Sequence, residues 1–230
     1  VKWFMALYLI SAHKKGISSY QLARDINVTQ KTAWFMLMRL RKAIQPKKKV
    51  LLEGVVMCDE TFVGGKNKNR HIDKKAGKVY NREFKDKVPV IGMLEKGGNV
   101  SCTVLPNTKS KTIYPLVRDS ISHGSTLVTD EWSGYFGLSM HFNHEVVQHV
   151  SRNFVSKNGY TTNPLEGFWG IVKRTIAGVH YVISKKHLQK YMDEMSFRYN
   201  HRKLKSQQIF SELLSRCNCT LKYKQLIQAT

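Results

Sequence analysis

Three acidic residues combine a chemically active side chain with a significant position in the chain. Asp59 lies at the end of the apolar run EGVVMCDE, followed only by Glu60, and Asp130 ends the run STLVTD. Glu166 lies in the first turn of a predicted helix. Strand ends and helix starts are the places where an α/β fold presents side chains to a shared crevice. We therefore expect the three carboxylates to meet at one site.

The chemistry that suits such a carboxylate set is divalent-metal catalysis. Two Mg²⁺ ions about 3.5–4 Å apart, held by hard oxygen ligands, activate an attacking water or 3′-hydroxyl and stabilise the leaving oxygen. We predict that Asp59, Asp130 and Glu166 bind two Mg²⁺ or Mn²⁺ ions. Each acid also has a structural alternative: a solvated charge at a strand end, the cap of the next turn, or, for Glu166, a capping box with Asn163.

The segment TTNPLEGFWGIVKR (161–174) predicts a helix with a polar and an apolar face. Asn163, Glu166 and Lys173 share the polar face, since they are spaced by whole helical turns. Thirty-five residues separate Asp130 from Glu166, and Lys173 follows two turns later. The buried stripe is expected to consist of Leu165, Phe168, Trp169, Val172 and Ile176.

The elements that must position these residues follow from hydrophobic periodicity. Short apolar runs predict strands at 53–60, in a hairpin over 88–107, at 125–130 and at 144–150, and helical spacing predicts helices at 110–122, 163–177, 184–201 and 206–214. The order is strand, hairpin, helix, two strands, helices. That order predicts an α/β fold of the RNase H-like type, a mixed sheet flanked by helices.

The N-terminal segment predicts a helix-turn-helix module. ISSYQLARDINVTQKTAWFMLMRLRKAI (17–44) contains two helical stripes, with Ser18 or Ser19 and Thr29 as N-caps. The intervening INVTQ suits the short turn, and the second helix carries Gln30, Lys31, Arg39 and Arg41. A small helical hairpin without DNA-binding function is the alternative.

The domain division follows from these shifts in pattern. We predict a helix-turn-helix module at 1–45, a linker at 46–52, an RNase H-like catalytic domain at 53–205 and a helical tail at 206–230. Residues 64–87 are rich in Gly and Lys without apolar periodicity, which predicts a long basic loop.

The charge balance indicates the class of partner. Thirty-eight Lys and Arg against 16 Asp and Glu give a net charge of +22. Nucleic acid is the first partner that such a surface suggests, and an anionic membrane is the second. No apolar run approaches the ~20 residues of a membrane span. The four cysteines form no C-x-x-C pair, so we expect a reduced cytoplasmic location.

Four stretches together resemble one family. They are CDETFVGGK (58–66), TDEWSGY (129–135), TTNPLEGFWGIVKR (161–174) and HLQKYMDEMSFRYNHR (187–202). In combination they resemble the transposase domain of bacterial insertion sequences related to the eukaryotic Merlin elements, which are DDE-type transposases. The resemblance covers roughly residues 50–205.

This resemblance implies a transposase that uses divalent metal to cleave transposon ends and to join 3′-hydroxyls to target DNA. Asp59 and Asp130 are its first two acids. The third position stays open: the family is often described with asparagine there, which points to Asn163, whereas metal chemistry and spacing favour Glu166. Lys173 is expected to contact a substrate phosphate.

The implied partners are the terminal inverted repeats, the target DNA and further copies of the chain, because transposases of this chemistry act as oligomers on paired ends. The residues expected to contact DNA are Gln30, Lys31, Arg39, Lys66, Lys173, Arg174, Arg198 and Arg202. Trp132 and Tyr135 follow Asp130, and they are expected either to stack on a displaced base or to pack in the core.

The sequence departs from the family in one respect. Members often carry a cysteine-rich zinc ribbon ahead of the helix-turn-helix, and the sequence contains none, so we expect a truncated copy or a partial sequence. A DNA-binding protein derived from a transposase without catalysis is the alternative function. A structure-selective nuclease of the same fold is a third.

Overall fold

The computed structural model describes residues 1–46, 51–65, 87–148, 155–156 and 158–228. The helices are α1 (Lys2–Ala12), α2 (Ser19–Asp25), α3 (Gln30–Ile44), α4 (Ser110–Arg118), α5 (Asn163–Thr175), α6 (Leu188–Asn200), α7 (Ser206–Arg216) and α8 (Tyr223–Ile227). The strands are β1 (Val55–Val63), β2 (Val88–Glu95), β3 (Val100–Val104), β4 (Thr126–Asp130) and β5 (Asn143–Val147).

The chain forms two compact units. One contains Val1–Lys47 together with Arg174–Thr230, and the other contains Lys48–Lys173. The sequence pattern predicts a single catalytic domain over 53–205, whereas the structure groups the residues from Arg174 onward with the N-terminal helices. The reason is that α1 and α3 pack against α7, and α3 also packs against α6.

The second unit is built on a five-stranded mixed sheet with the order β3-β2-β1-β4-β5. β1, β2 and β3 are antiparallel neighbours, and β4 and β5 continue the sheet in parallel with β1. This confirms the predicted mixed sheet and the predicted order of the strands along the chain.

A helix covers each face of the sheet. Cys58, Ile91 and Met93 share one face with Ile113 and Val117 of α4 in a single hydrophobic core. On the opposite face, Leu165 and Trp169 of α5 reach the backbone of Gly92 on β2. The sheet is therefore flanked by helices, as the sequence predicts.

One predicted strand boundary is wrong in a way that matters for the site. The first strand was expected to end with Asp59 and Glu60, but β1 continues to Val63. It continues because its antiparallel ladder with β2 runs on to the pair of Val63 and Val88. The parallel ladder with β4, in contrast, ends at the pair of Met57 and Val128.

The first unit is helical and has its own core. The Ser18 hydroxyl caps α2 by accepting a hydrogen bond from the Gln21 backbone N–H, and Thr29 caps α3 by accepting one from Thr32. Both predicted caps are confirmed, and α2 packs against α3. The apolar stripes of the two helices are largely buried in a core that also receives Leu213 of α7.

Candidate active site

Two strands place Asp59 and Asp130 side by side. Met57 of β1 pairs in register with Val128 of β4, and the two aspartates follow each of these residues by two positions. Because side chains alternate with a period of two, both carboxylates project from the same face of the sheet. Neighbouring strands lie about 4.8 Å apart, so the ladder brings the two acids close together.

Helix α5 brings Glu166 to the same face. Asp59 pairs in register with Gly92, so the two residues face the same side of the sheet. A Cβ atom at Gly92 would lie 2.5 Å from the Trp169 ring and 3.1 Å from Leu165. The missing side chain at Gly92 is thus what lets α5 pack this closely on the strand that carries Asp59.

The electrostatics of the site show that the three acids interact. The pKa of Asp59 is raised to about 6, first by its burial and then by the negative charge of Asp130, with a smaller contribution from Glu166. The Glu60 backbone N–H donates to Asp59 Oδ1 at 2.8 Å, which opposes the rise. The nearby indole N–H of Trp169 also lowers the pKa of Asp59. This N–H is buried and forms no hydrogen bond of normal geometry with any of the described residues.

The polar residues predicted on α5 share its exposed face. Asn163, Glu166 and Lys173 are exposed, whereas Phe168 and Trp169 are buried as expected. The Thr162 hydroxyl, just before the helix, donates to the Glu166 carboxylate at 3.3 Å. Asn163 is the first helical residue, so the alternative role of Glu166 in a capping box with Asn163 gives way to this contact with Thr162.

Glu60 is a residue of the site that the sequence analysis did not single out. It pairs in register with Ile91, so it projects to the α4 face, opposite to Asp59. Its pKa is raised to about 8 by burial, partly opposed by the nearby Tyr135 hydroxyl, and is raised further by Asp130 and Asp59. At neutral pH the structure therefore keeps Glu60 protonated while its neighbour Asp59 is ionised.

Tyr135 packs in the core and not on the surface. Its ring is buried in the cluster formed by α4 and the sheet, and burial raises the pKa of its phenol well above the usual value. Neither its hydroxyl nor Glu60 Oε1 forms a hydrogen bond within the part of the chain that the structure describes. Of the two alternatives for Tyr135, stacking on a displaced base is therefore wrong and core packing is confirmed.

The carboxylates have the donor chemistry for divalent cations, but they do not converge as they lie. Within the described ranges, no three His, Cys, Asp or Glu side chains are grouped closely enough to hold one ion. Asp59, Asp130 and Glu166 are near enough to interact electrostatically, as the pKa of Asp59 shows.

The basic residues predicted to contact DNA have different surroundings. On α3, Lys31 is exposed, Gln30 donates to the Ser19 hydroxyl at 2.8 Å, and the Arg39 guanidinium lies 5.2 Å from the centre of the Trp3 ring. The exposed residues among the rest are Lys173, Arg174 and Arg202. Lys66 lies outside the described residues.

Two further arginines form a buried ion cluster. Arg41 Nε donates to Glu194 at 2.7 Å, and Arg198 donates to the same carboxylate at 2.6 Å and to the His13 carbonyl at 2.7 Å. Arg41, which the second helix carries as predicted, has its side chain buried against α6. A phosphate contact by Arg198 stays a prediction, and it requires donors that already bind Glu194.

Two histidines near β5 contact other side chains of the same unit. His144 lies on β5, where its Nε2 is 2.9 Å from the Thr129 hydroxyl. His141 packs beside the rings of Tyr114 and His123. Burial lowers the pKa of His144, which suits a neutral structural residue. His149 lies outside the described residues.

Comparison with known proteins places the chain among transposases. An uncharacterized transposase-like protein of Haemophilus influenzae is 31% identical over 109 residues, which cover 47% of this chain and 86% of that protein. A pre-cleavage Mos1 transpososome and the Mos1 strand transfer complex each cover 89% of this chain and 75% of the solved chain, with TM-scores of 0.35 and identities of 12% and 13%.

A further observation concerns membranes. Among the described helices, none has the length and apolarity that crossing a bilayer requires.

The model of the ISXO2-like transposase domain matches residues 51–200, which include Asp59, Asp130 and Glu166. The chain therefore belongs to the ISXO2-like transposase domain family.

Proposed function

We propose that this protein is a metal-dependent DNA transposase that cleaves the ends of an insertion sequence and joins them to target DNA. The observation that supports this most directly is the interaction of Asp59, Asp130 and Glu166 on one face of the sheet. The strand order β3-β2-β1-β4-β5, with its antiparallel and parallel halves, fits the proposed RNase H-like fold. The Merlin-related subtype, the DDE motif and an intracellular site of action near bacterial DNA are parts of the same proposal.

In this proposal Asp59, Asp130 and Glu166 hold Mg²⁺ or Mn²⁺. When bound, the ions activate the attacking oxygen and stabilise the leaving oxygen of the phosphodiester. The protein contributes three carboxylates on a rigid sheet and helix, and the raised pKa of Asp59 reflects a concentration of negative charge that a cation relieves. Lys173, exposed on the polar face of α5, binds a phosphate of the substrate.

Glu166 is favoured over Asn163 as the third ligand. Its charge acts on Asp59, and the Thr162 hydroxyl orients its carboxylate. Asn163 is exposed in the same turn, with its backbone N–H bonded to the Thr161 hydroxyl at 3.2 Å. A carboxylate binds Mg²⁺ more strongly than an amide does, so Glu166→Gln is expected to raise the Mg²⁺ requirement more than Asn163→Ala.

The N-terminal helices supply DNA recognition in this proposal. α2 and α3 form a capped helical pair, and Lys31 lies exposed on the second helix. With a net charge of +22, the chain is expected to bind the terminal inverted repeats and the target DNA as a homo-oligomer on paired ends. Binding should therefore weaken steeply as the salt concentration rises.

The test is a cleavage and strand-transfer assay on duplex DNA that carries the inverted repeats flanking the gene. Wild-type protein should cut in Mg²⁺ or Mn²⁺, and Asp59→Asn or Asp130→Asn should abolish cutting while DNA binding persists. Asp119→Asn is the matched control, because Asp119 is an exposed aspartate of the same unit that pairs with Arg118. Full activity of either site variant would refute the proposal, and cleavage without end joining would favour a nuclease.

A further inference from the structure

Two segments that are distant in the sequence meet on α3, close to its start. The Tyr223 ring of α8 lies 5.8 Å from the Phe35 ring, centre to centre, and the Lys31 ammonium lies 5.1 Å from the centre of the Tyr223 ring. The His187 ring of a 3₁₀ turn lies 5.4 Å from the Trp34 ring. Lys31, Trp34 and Phe35 are three or four positions apart, so they share one face of the helix. All of these contacts lie within the first unit.

The contacts cover the second turn of α3 and leave its first turn open. Trp34 and Phe35 are half-buried, whereas Gln30, Lys31 and Thr32 are exposed. In a helix-turn-helix, the first residues of the second helix contact base edges in the major groove. The part of α3 that reads DNA in such a module is therefore accessible, and the two covering segments lie directly beside it.

The two covering segments are held to the protein and to each other. Leu226 of α8 is 2% exposed, and the Lys222 backbone N–H donates to Gln225 Oε1 at 2.9 Å at the start of this helix. The 3₁₀ turn joins α8 through the Lys186 ammonium, which donates to the Gln228 carbonyl. The positions of both segments beside α3 are therefore set by the fold.

The surface around the first turn of α3 carries positive charge that its own segments do not offset. Residues 30–44, 181–192 and 217–228, which contain α3, the 3₁₀ turn and α8, include no Asp or Glu. The pKa of His187 is lowered, first by burial and then by the positive charges of neighbouring lysines. The exposed lysines on the first turn of α3, on the 3₁₀ turn and on or next to α8 are Lys31, Lys185, Lys186, Lys222 and Lys224.

We propose that Lys222 and Lys224, together with the lysines of the turn Lys185–His187, bind the DNA phosphates that flank the groove entered by α3. The inference rests on the proposed function and deepens it, since it requires that α3 reads duplex DNA. An ammonium group pairs with a phosphate whatever the base, so these segments add affinity and fix the position of α3 without selecting the sequence. The C-terminal helix α8 thereby belongs to the DNA-binding surface of the first unit.

The chemistry of this surface favours DNA over an anionic membrane. A surface that binds lipid combines basic residues with apolar side chains that enter the bilayer. Here Trp34 and Phe35 are half-buried against His187 and Tyr223, and the lysines beside them are exposed. The surface thus offers charge to phosphates and withholds its aromatic rings from a bilayer.

The experiment measures equilibrium binding of the full chain to duplex DNA over a series of salt concentrations, without divalent metal. The logarithm of the binding constant falls with the logarithm of the salt concentration, with a slope of about 0.9 for each phosphate contact. Lys222→Gln with Lys224→Gln should reduce this slope by about 2 and weaken binding about tenfold or more at about 0.1 M salt. The loss should be equal on the inverted repeat and on a scrambled duplex, and Lys222→Arg with Lys224→Arg should restore binding.

Neutral phosphates locate the contact on the DNA. One methylphosphonate is moved along each strand of the duplex, and wild-type protein should bind more weakly wherever the replaced phosphate pairs with α8. The protein with Lys222→Gln and Lys224→Gln should be insensitive at those positions and should respond like wild type at the others. An identical profile for the two proteins would contradict the proposed contact.

The matched control is Lys203→Gln with Lys205→Gln, which removes the same charge from exposed lysines of the same unit. These lysines follow the end of α6, whereas the 3₁₀ turn precedes its start, and the 13 residues of this helix span about 20 Å. The control should keep the methylphosphonate profile of wild type. A second variant, Leu226→Ala, loosens α8 but keeps its lysines, and it should reduce the salt slope in the same direction.

Three results would overturn the inference. One is an unchanged slope in the protein with Lys222→Gln and Lys224→Gln, or an equal loss in the control. Another is tighter DNA binding in that protein or in Leu226→Ala, because α8 would then mask α3. The third is loss of binding to phosphatidylserine vesicles without loss of binding to DNA, which would assign the lysines to a membrane.

The two proposals fail differently. If wild-type protein cuts no DNA but its salt slope depends on Lys222 and Lys224, the binding surface holds and transposase catalysis fails. If cleavage depends on Asp59 but the salt slope does not depend on the two lysines, catalysis holds and the binding surface fails.

Discussion

The substitution Gly92→Ala adds one methyl group under α5. It tests whether the packing of this helix on the sheet sets the position of Glu166 relative to Asp59 and Asp130. A Cβ atom there would lie 2.5 Å from Trp169 Cζ2, 2.9 Å from Trp169 Cη2 and 3.1 Å from Leu165 Cδ1. Carbon atoms in contact prefer about 3.5–4.0 Å. In Gly92→Ala the Trp169 ring must therefore withdraw by about 1 Å.

The consequence for activity should exceed the consequence for stability. Overpacking of this kind costs about 1–3 kcal/mol of unfolding free energy. Glu166 precedes Trp169 by three residues on the same helix, so a shift of the ring moves the carboxylate relative to Asp59. A displacement of about 1 Å at a catalytic group lowers the rate about 100-fold.

The assay measures metal-dependent DNA cleavage and thermal unfolding on the same preparations. Gly167→Ala is the matched control, because its Cβ atom on α5 would meet nothing within 4 Å. It should raise stability by up to about 1 kcal/mol, since alanine favours the helix more than glycine does. Trp169→Phe removes the ring atoms that clash, so the double variant should recover part of the lost rate. A Gly92→Ala protein with unchanged rate and melting temperature would refute this reasoning.

Four further predictions concern buried ionisable side chains. Glu194→Gln should lose about 3–5 kcal/mol in urea unfolding, because it leaves the guanidinium of Arg41 buried without its counter-charge; a loss below about 1 kcal/mol would contradict this. Burial would raise the pKa of Glu194, but the charge of Arg41 outweighs it and holds the pKa at about 2. Ionised Glu194 therefore contributes about 3 kcal/mol to the free energy of unfolding above pH 4.5, and this contribution should disappear as the pH falls toward 2. Burial lowers the pKa of His180 to about 4, so only the unfolded chain takes up this proton as the pH falls from 6.5 to 4. The melting temperature should therefore fall over that pH range, and it should fall less in His180→Phe than in wild type. The pKa of Glu60 is raised to about 8, so its contribution to the free energy of unfolding is present below pH 4.5 and is lost as the pH rises to about 8. In EDTA at pH 7, the free energy of unfolding of Glu60→Gln should therefore be about 3 kcal/mol higher than that of wild type. Equal stability of the two proteins would exclude a protonated Glu60.

The sequence was sufficient for what depends on local pattern. The caps at Ser18 and Thr29 were predictable because a hydroxyl just before an apolar helical stripe has a local physical role. The order of the strands along the chain was predictable from short apolar runs in the same way. The buried stripe of α5 follows from helical spacing at Leu165, Phe168, Trp169 and Val172. Ile176, which was also expected in the stripe, lies beyond the end of α5 and is only half-buried.

What the sequence could not supply depends on pairing between distant segments. The end of β1 at Val63 is set by its ladder with β2, which lies beyond a long connecting segment. Arg41 resembles a surface residue of a basic helix until Glu194 is brought to it across 153 positions. No local signal distinguishes this arginine from Arg39, because the burial of a charge is decided by a partner that the surrounding sequence does not contain.

Asp59 and Glu60 show how the register of one strand gives two adjacent acids opposite properties. Asp59 faces Gly92 and α5, where Asp130 and Glu166 also act on it. Glu60 faces α4 and Tyr135, where burial keeps it protonated at neutral pH. A slip of one residue would exchange the two side chains, and an ionised carboxylate would then be buried against the α4 core. The cost of that burial opposes the slipped register, so the same hydrophobic face that keeps Glu60 neutral also holds Asp59 on the side where α5 presents Glu166.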